Sequence, residues 1–202
     1  MILPAQPLII PTRDRQIILV TGPASSGKSE FAEAIARQNP YPVTYVATAQ
    51  TNPDDAEWQA KIAAHRARRP ASWQTAHIPL ALAEFLAQST QPQHCYLIDA
   101  LGTWVANGLA EPAEQWSTRV TQLSQTLPAS PGHLIIVAEE VGWGLVPPYP
   151  AGRLFRDRLG RITRQVGAIA TQVYLVTGGY ALPLHQLGIP LGPYGEDKSN
   201  RT

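Results

Sequence analysis

A glycine-rich stretch near the amino terminus carries the residue types and spacing that most clearly predict chemistry. Residues 22–29 read Gly-Pro-Ala-Ser-Ser-Gly-Lys-Ser, which fits the phosphate-binding loop pattern of glycine, four residues and Gly-Lys-Ser. The apolar run at 17–20 predicts a buried strand before it, and Phe31 and Ile35 predict a helix after it. Strand, loop and helix in this order favour a nucleotide-binding loop over an ordinary glycine turn.

Each part of this loop has a predicted role in binding a nucleotide phosphate or its magnesium ion. Backbone N–H groups of the loop and of the helix N-terminus bind anionic oxygens. Lys28 neutralises the β- and γ-phosphates, and the Ser29 hydroxyl is a ligand for a magnesium ion. The predicted phosphate-binding residues are Gly22, Pro23, Ala24, Ser25, Ser26, Gly27, Lys28 and Ser29.

Acidic residues close two further predicted strands. Asp99 ends the apolar run 95–99, which predicts a magnesium ligand, with a helix cap or turn acid as the alternative. Glu139 and Glu140 follow the run 133–138, and adjacent strand residues point to opposite faces, so at most one faces the site easily. Such a carboxylate can act as general base for a substrate hydroxyl or simply cap a loop, and Glu140 is the candidate for the base.

A histidine followed by arginines forms the second candidate for chemistry. His65 shares a helical face with Trp58 and Ile62, which alone would favour a packed histidine. Three of the next four residues are arginine, namely Arg66, Arg68 and Arg69. Guanidinium groups beside an imidazole suit a polyphosphate, although a solvated helix end gives the same pattern. These residues span about one helical turn, so we expect the helix to end or bend near His65.

The elements that must position these residues alternate along the chain. Strands are predicted at 17–20, 43–48, 72–78, 95–99, 133–138 and 173–177, and helices after the loop and at about 54–69, 80–87, 104–109, 113–127 and 151–170. This alternation predicts a three-layer α/β fold with a mainly parallel sheet. Ligands of such sheets bind beyond the carboxyl ends of the strands, where the loop, Thr48, Asp99 and the glutamates fall. We expect 173–177 to be the last strand, ended by Gly178-Gly179.

The length and composition of the chain limit the number of domains and the classes of function that are possible. The 202 residues allow one domain at 17–191, with an extended arm at 1–16 and a loose tail at 192–202. Only 15% of the residues are charged and the formal net charge is +1, so no global field recruits nucleic acid or an anionic membrane. The single cysteine, Cys95, cannot form an intrachain disulfide. With no secretory signal or bilayer-spanning run, this predicts a reducing, cytoplasmic location.

Taken together, the motifs resemble the bifunctional adenosylcobinamide kinase / adenosylcobinamide-phosphate guanylyltransferase family. The matching stretches lie at 18–29, 45–50, 62–70 with Trp73 and Thr75, 97–99, 140–147, 155–157 and 160–161. They span about residues 17 to 180. The loop alone is unspecific. The stretches His-Arg-x-Arg-Arg-Pro and Glu-Val-Gly-Trp-Gly, in this order, are the specific part of the resemblance.

The resemblance implies two reactions on a corrinoid. A nucleoside triphosphate phosphorylates the aminopropanol hydroxyl of adenosylcobinamide, and GTP then transfers GMP to that phosphate through a histidine-bound intermediate. It also implies a RecA-like phosphate-loop fold, Mg²⁺ with ATP or GTP, and a homotrimer. It places the histidine at His65 and further nucleotide contacts at Ala47, Thr48, Ala49, Arg66, Ala67, Arg68, Arg69, His77 and Asp99.

The chain departs from the family pattern at a few positions. Where the family usually has a glutamate that contacts guanine, this chain has His77. It has Glu139 and Thr163 where asparagine is usual, and Ala-Leu-Gly at 100–102 where Cys-Leu-Thr is usual. Two alternatives stay open: a member that has kept only the kinase step, and a nucleotide-dependent switch without a small-molecule substrate. An Asn-Lys-x-Asp guanine-reading motif is absent from the sequence, which weakens a GTPase switch.

Overall fold

The computed structural model of the protein describes residues 14–50 and 67–191, so His65, Arg66 and most of the predicted helix at 54–69 lie outside the described residues. The strands are β1 (Ile17–Gly22), β2 (Val43–Ala47), β3 (Gln74–His77), β4 (Cys95–Asp99), β5 (His133–Glu139), β6 (Gln172–Thr177) and β7 (Tyr180–Pro183). The helices are α1 (Lys28–Gln38), α2 (Leu82–Gln88), α3 (Leu101–Asn107), α4 (Ala113–Ala129), α5 (Pro150–Ile169) and α6 (Leu184–Leu187).

The strands form one sheet in the order β3-β2-β4-β5-β1-β6-β7. Every neighbouring pair is parallel except β6 with β7. The carboxyl ends of β1, β2, β4 and β5 therefore meet at one edge of the sheet, and β5 lies between the strand of the phosphate loop and the strand of Asp99. The predicted fold class, a mainly parallel α/β sheet of a phosphate-loop protein, is confirmed.

Hydrophobic packing covers both faces of the sheet. Along β1 the side chains alternate, with Ile17 and Leu19 in one buried cluster and Ile18 and Val20 in the other, as strand geometry requires. Helix α1 packs on the second face through Ala32, while helices α2 to α5 pack on the first. The sheet is thus the middle of three layers, and both faces of its central strands are buried. No helix in the described ranges has the length and apolar character needed to cross a bilayer.

The expectation that residues 173–177 form the last strand is wrong. Gly178 and Gly179 have φ angles of 57° and 81°, and β7 follows them antiparallel to β6 with Thr177 opposite Tyr180. Left-handed conformations at both central residues are typical of a type I′ two-residue hairpin, which glycine forms without steric cost. The Gly-Gly pair therefore turns the chain into a further strand rather than ending the sheet.

Helix α5 uses its arginines to hold neighbouring loops. Arg153 donates to the carbonyl oxygens of Pro147 and Pro148, and Arg156 donates to those of Gly142 and Gly144. Arginines at such helical spacing can bind phosphate or form a solvated, ion-paired face. In the structure these two side chains organise the segment between β5 and α5.

Arg158 is a buried arginine that the sequence analysis missed. Its guanidinium donates to the carbonyl oxygens of Gly108, Leu109 and Glu111 and lies 4.6 Å from the centroid of the Trp116 ring. The side chain is only 7% exposed. It therefore supplies charged donors to three carbonyl groups that follow the end of α3, of which that of Gly108 also accepts from the Glu111 N–H at 3.1 Å.

Replacing Arg158 by methionine is expected to lower the free energy of unfolding by about 2–3 kcal/mol, since buried carbonyl oxygens lose charged donors while the apolar volume is largely kept. Urea denaturation followed by circular dichroism measures this. The matched control is Arg164→Met on the same helix, where the side chain is exposed and a change within about 0.5 kcal/mol is expected. Equal stability of the two variants would show that Arg158 contributes no more than a surface arginine.

Candidate nucleotide-binding site

The loop between β1 and α1 has the backbone shape that phosphate binding requires. Gly22 ends β1, and a Cβ atom there would overlap the carbonyl oxygen of Val176, so only glycine fits. Ser25 and Gly27 have φ angles of 57° and 89°, which turn the chain sharply before α1 begins at Lys28. Left-handed residues in such a turn direct successive N–H groups into one concavity, which is a site for anionic oxygens.

The Lys28 side chain bends back over this loop. Its Nζ donates to the carbonyl oxygen of Pro23 at 3.2 Å. This contact is with the loop backbone itself and involves no carboxylate. The ammonium group thus lies at the concavity, where it can exchange one carbonyl contact for phosphate oxygens.

Ser29 and Asp99, the predicted magnesium ligands, are brought together although they are 70 residues apart. The Ser29 hydroxyl donates to Oδ1 of Asp99 at 3.3 Å. Both groups offer hard oxygen donors, and Mg²⁺ sites in nucleotide enzymes take one or two carboxylates together with substrate phosphates and water. The donor set at the mouth of the loop therefore fits a magnesium ion that arrives with a nucleotide.

Tyr45 orients Asp99, a role that the sequence analysis did not assign. Its hydroxyl donates to Oδ2 of Asp99 at 2.8 Å, and the side chain is only 5% exposed. Burial, with the neighbouring Asp99 charge, raises the pKa of the Tyr45 phenol, so it stays a proton donor at neutral pH. The strand pattern offers a signal for it, because Tyr45 lies two residues before Ala47, which is paired with Asp99.

Of the two arginines that can be placed, only Arg69 reaches this cluster. Its guanidinium lies 3.7 Å from the centroid of the Tyr45 ring, a cation–π contact that holds it one side chain away from Asp99. Arg68 instead donates to Glu30 at 3.0 Å and to Glu33 at 3.5 Å, both on α1. Arg68 therefore attaches the segment after residue 66 to α1, and Arg69 of the same segment lies at the site.

Thr48 is a structural connection at the end of β2. Its fully buried hydroxyl donates to the carbonyl oxygen of Ala100 at 2.7 Å and accepts from the Ala100 N–H at 2.9 Å. The Thr48 carbonyl oxygen accepts from the Asn107 amide. These hydrogen bonds occupy the Thr48 hydroxyl and link the end of β2 to α3. The residues next to Thr48 therefore form the surface of the site.

His77 lies with Ala47 and Ala49 at the sheet edge. It pairs with Ala47 across β2 and β3, and its Nε2 is 2.5 Å from the carbonyl oxygen of Ala49. Since a carbonyl oxygen only accepts, Nε2 is the donor in this contact, and Nδ1 is the ring nitrogen left for a ligand. The structure therefore places exposed His77 beside half-buried Ala47 and Ala49, which brings these three predicted nucleotide contacts together.

The two adjacent glutamates diverge, as strand geometry predicts. The Glu139 carboxylate accepts from the Gly102 N–H at 2.8 Å, whereas the Glu140 carboxylate accepts from the Gly142 N–H at 2.5 Å in a local turn. Burial raises the pKa of Glu139 and the Asp99 charge adds to this, while backbone N–H groups and Lys28 act in the opposite direction. Glu139 is thus the glutamate that is electrostatically coupled to the loop lysine and to Asp99.

Comparison with known proteins agrees with this geometry. The family described as cobinamide kinase / cobinamide phosphate guanyltransferase matches residues 18–184. The bifunctional adenosylcobalamin biosynthesis protein CobP of Pseudomonas aeruginosa is 36% identical over 167 residues, covering 82% of this chain and 95% of that protein. The protein of Salmonella typhimurium named CobU is 35% identical over 182 residues, covering 83% and 99%.

A solved structure of a Pyrococcus horikoshii OT3 protein superposes with a TM-score of 0.52 at 8% identity, over 85% of this chain and 87% of that chain. This likeness shows a shared fold alone. The family match, in contrast, runs from β1 through the loop, β4 and β5 into α6, and so includes every described element of the candidate site. The chain belongs to the cobinamide kinase / cobinamide phosphate guanyltransferase family.

Proposed function

We propose that the protein catalyses both reactions for which its family is described. It phosphorylates the aminopropanol hydroxyl of adenosylcobinamide with a nucleoside triphosphate, and it then transfers GMP from GTP to the resulting phosphate in cobalamin biosynthesis. The main support for this proposal is that Lys28, Ser29 and Asp99 lie together at the phosphate loop. The chain that contains this loop matches the family over 167 residues (18–184).

In the kinase step, the loop from Gly22 to Ser29 holds the β- and γ-phosphates with backbone N–H groups. Lys28 leaves its contact with the Pro23 carbonyl and neutralises the phosphoryl oxygens. Ser29 and Asp99 would hold a magnesium ion, which would supply charge neutralisation at the same oxygens. Tyr45 keeps the Asp99 carboxylate in one orientation through its hydrogen bond.

In the guanylyl-transfer step, we place the covalent chemistry on His65. A neutral imidazole attacks the α-phosphorus of GTP, pyrophosphate leaves, and the phosphoramidate passes GMP to adenosylcobinamide phosphate. Arg66 and Arg69 stabilise the charge on the phosphoryl oxygens. The position of Arg69 over Tyr45 supports this assignment because it places a residue four positions after His65 next to the side chain that contacts Asp99.

We also infer the bounds of the domain, the residues that line the nucleotide, the assembly and the location of the protein. Residues 17–191 form the nucleotide-binding domain, and the protein acts as a homotrimer in the cytoplasm. The nucleotide is lined by Ala47, Ala49, Ala67 and His77, while Arg68 positions the segment on α1. Sedimentation equilibrium of the full chain tests the assembly, with about three times the 22.0 kDa chain mass expected.

The direct test is incubation of the purified protein with adenosylcobinamide, ATP, GTP and Mg²⁺, followed by mass spectrometry of the corrinoid. Both the phosphate and the GDP derivative are expected. The phosphate without the GDP derivative would support the kinase-only alternative. Unchanged corrinoid, with nucleotide bound, would support a nucleotide-dependent switch.

We expect His77 to weaken the discrimination for guanine, since a carboxylate accepts from both the ring N–H and the exocyclic amine whereas Nδ1 of His77 accepts only once. His77→Glu is therefore expected to raise the preference for GTP over ATP by about tenfold or more. Competition between the two nucleotides in the kinase reaction, for the parent and the variant, measures this.

The matched control for this selectivity change is Gln115→Glu, which introduces the same negative charge at an exposed position of α4. It is expected to keep the selectivity of the parent. Equal selectivity of His77→Glu and the parent would show that position 77 does not read the base.

A further inference from the structure

We propose that Glu139 is the general base of the kinase step, the group that takes the proton of the corrinoid hydroxyl. This inference rests on the proposed kinase function and deepens it. The sequence named both Glu139 and Glu140 for this task and favoured Glu140. Three observations of the structure favour Glu139.

The first observation is the place of Glu139 in the sheet. Strand β5 lies between β1 and β4, and Glu139 is in register with Gly22, the first glycine of the loop. The next residue, Glu140, donates its backbone N–H to the carbonyl oxygen of Gly22 at 2.8 Å. Glu139 therefore stands at the carboxyl edge between the phosphate loop and the strand of Asp99, where the γ-phosphate of a bound nucleotide lies.

The second observation is how the carboxylate is held. Its Oε2 accepts from the Gly102 N–H at 2.8 Å, and within residues 14–50 and 67–191 no salt bridge includes Glu139. A carboxylate fixed by backbone N–H groups and not by an ion pair is oriented yet still able to take a proton. The Glu140 carboxylate, in contrast, is turned toward the Gly142 N–H of the following turn.

The third observation is the space that Gly102 leaves for the Glu139 carboxylate. A Cβ atom at Gly102 would overlap the Glu139 carboxylate, so a glutamate in this orientation requires glycine at the start of α3. The Glu139 carboxylate thus occupies the volume that a side chain at position 102 would take.

Phosphoryl transfer to the corrinoid hydroxyl exchanges one P–O bond for another and releases one proton. The corrinoid hydroxyl oxygen forms a bond to the γ-phosphorus, the bond from that phosphorus to the β,γ-bridging oxygen breaks, and the nucleoside diphosphate leaves. The hydroxyl proton passes to the Glu139 carboxylate and is released to water after the product departs. Lys28 and the loop stabilise the transferred phosphoryl group, while Glu139 removes the one proton that the step must lose.

The test is Glu139→Gln, because the amide oxygen keeps the hydrogen bond from Gly102 but cannot take the proton. We expect kcat of the kinase step to fall by about 10²-fold or more, with the KM values for ATP and adenosylcobinamide changed less than about threefold. Guanylyl transfer to supplied adenosylcobinamide phosphate is expected to continue near the parent rate. The control Glu114→Gln, at an exposed position of α4, is expected to leave both rates unchanged.

A double-mutant cycle separates this role from a structural one. Gly102→Ala alone is expected to reduce kcat by displacing the carboxylate. The same change in a Glu139→Ala background, where the room has been restored, is expected to reduce kcat no further. Additive losses in the cycle would show that position 102 acts on the fold and would overturn the coupling.

Three results would overturn the inference while leaving the proposed function intact. They are a parent-like kcat in Glu139→Gln, a larger loss in Glu140→Gln than in Glu139→Gln, and a loss in Glu139→Gln that saturating Mg²⁺ restores, which would make Glu139 a metal ligand. Absence of kinase activity in the parent protein would instead overturn the proposed function, and this inference with it.

Discussion

Replacement of Lys28 by alanine is expected to abolish both reactions while the protein stays folded. The Lys28 ammonium makes a hydrogen bond to the loop carbonyl of Pro23 and is only partly buried, so its loss removes little from the core. Removing a cation from a phosphoryl-transfer site costs several kcal/mol of transition-state stabilisation, and about 4 kcal/mol corresponds to a loss of about 10³-fold in rate.

The measurement compares initial rates of corrinoid phosphorylation and guanylylation in the parent and in Lys28→Ala. Thermal melting followed by circular dichroism establishes that the variant is folded. Arg164→Ala removes a cation from an exposed position of α5 and is the matched control, with parent-like rates expected. A folded Lys28→Ala protein that still phosphorylates adenosylcobinamide at the parent rate would refute the loop as the catalytic site.

Replacement of His65 by alanine is expected to stop guanylylation completely and to leave the kinase step largely intact. Transfer of the γ-phosphoryl group needs the loop and magnesium, whereas transfer of GMP in the proposed mechanism needs a nucleophile that forms a P–N bond. The two activities of one active chain therefore separate at a single residue, which a general loss of folding would not produce.

Incubation with α-labelled GTP, followed by treatment with acid or base, detects the proposed histidine–GMP intermediate directly. Label on the parent protein is expected to be lost in acid and kept in base, as phosphoramidates behave, and His65→Ala is expected to carry none. His185→Ala removes an imidazole from α6 and serves as control, with full labelling expected. Full labelling of His65→Ala would exclude this nucleophile, and an unlabelled parent with kinase activity would favour the kinase-only alternative.

Local patterns in the sequence determined the parts of this protein that depend on near neighbours along the chain. The loop from Gly22 to Ser29 was predicted from eight consecutive residues, and its geometry follows from glycines that lie where no side chain fits or where φ is positive. Runs of apolar residues alternating with helical segments were enough for a parallel sheet with Asp99 at a strand end. The hairpin at Gly178-Gly179 also had a local signal, and the expectation failed because that signal was interpreted as a stop.

Only the tertiary structure decided which distant groups meet. Spacing places Tyr45 on one face of β2, but the partner on that face, Asp99, is 54 residues away and depends on the strand order. The same holds for the neighbouring arginines, one of which lies on Tyr45 while the other pairs with Glu30.

The choice between Glu139 and Glu140 shows the physical reason most clearly. Alternation along β5 requires that the two side chains diverge, yet it does not state which face holds the site. That face is set by the insertion of β5 between β1 and β4 and by the space that Gly102 leaves open. The sequence limited the glutamates that can face the site to at most one, and the packing of elements far apart in the chain decided that Glu139 is the one held at the start of α3.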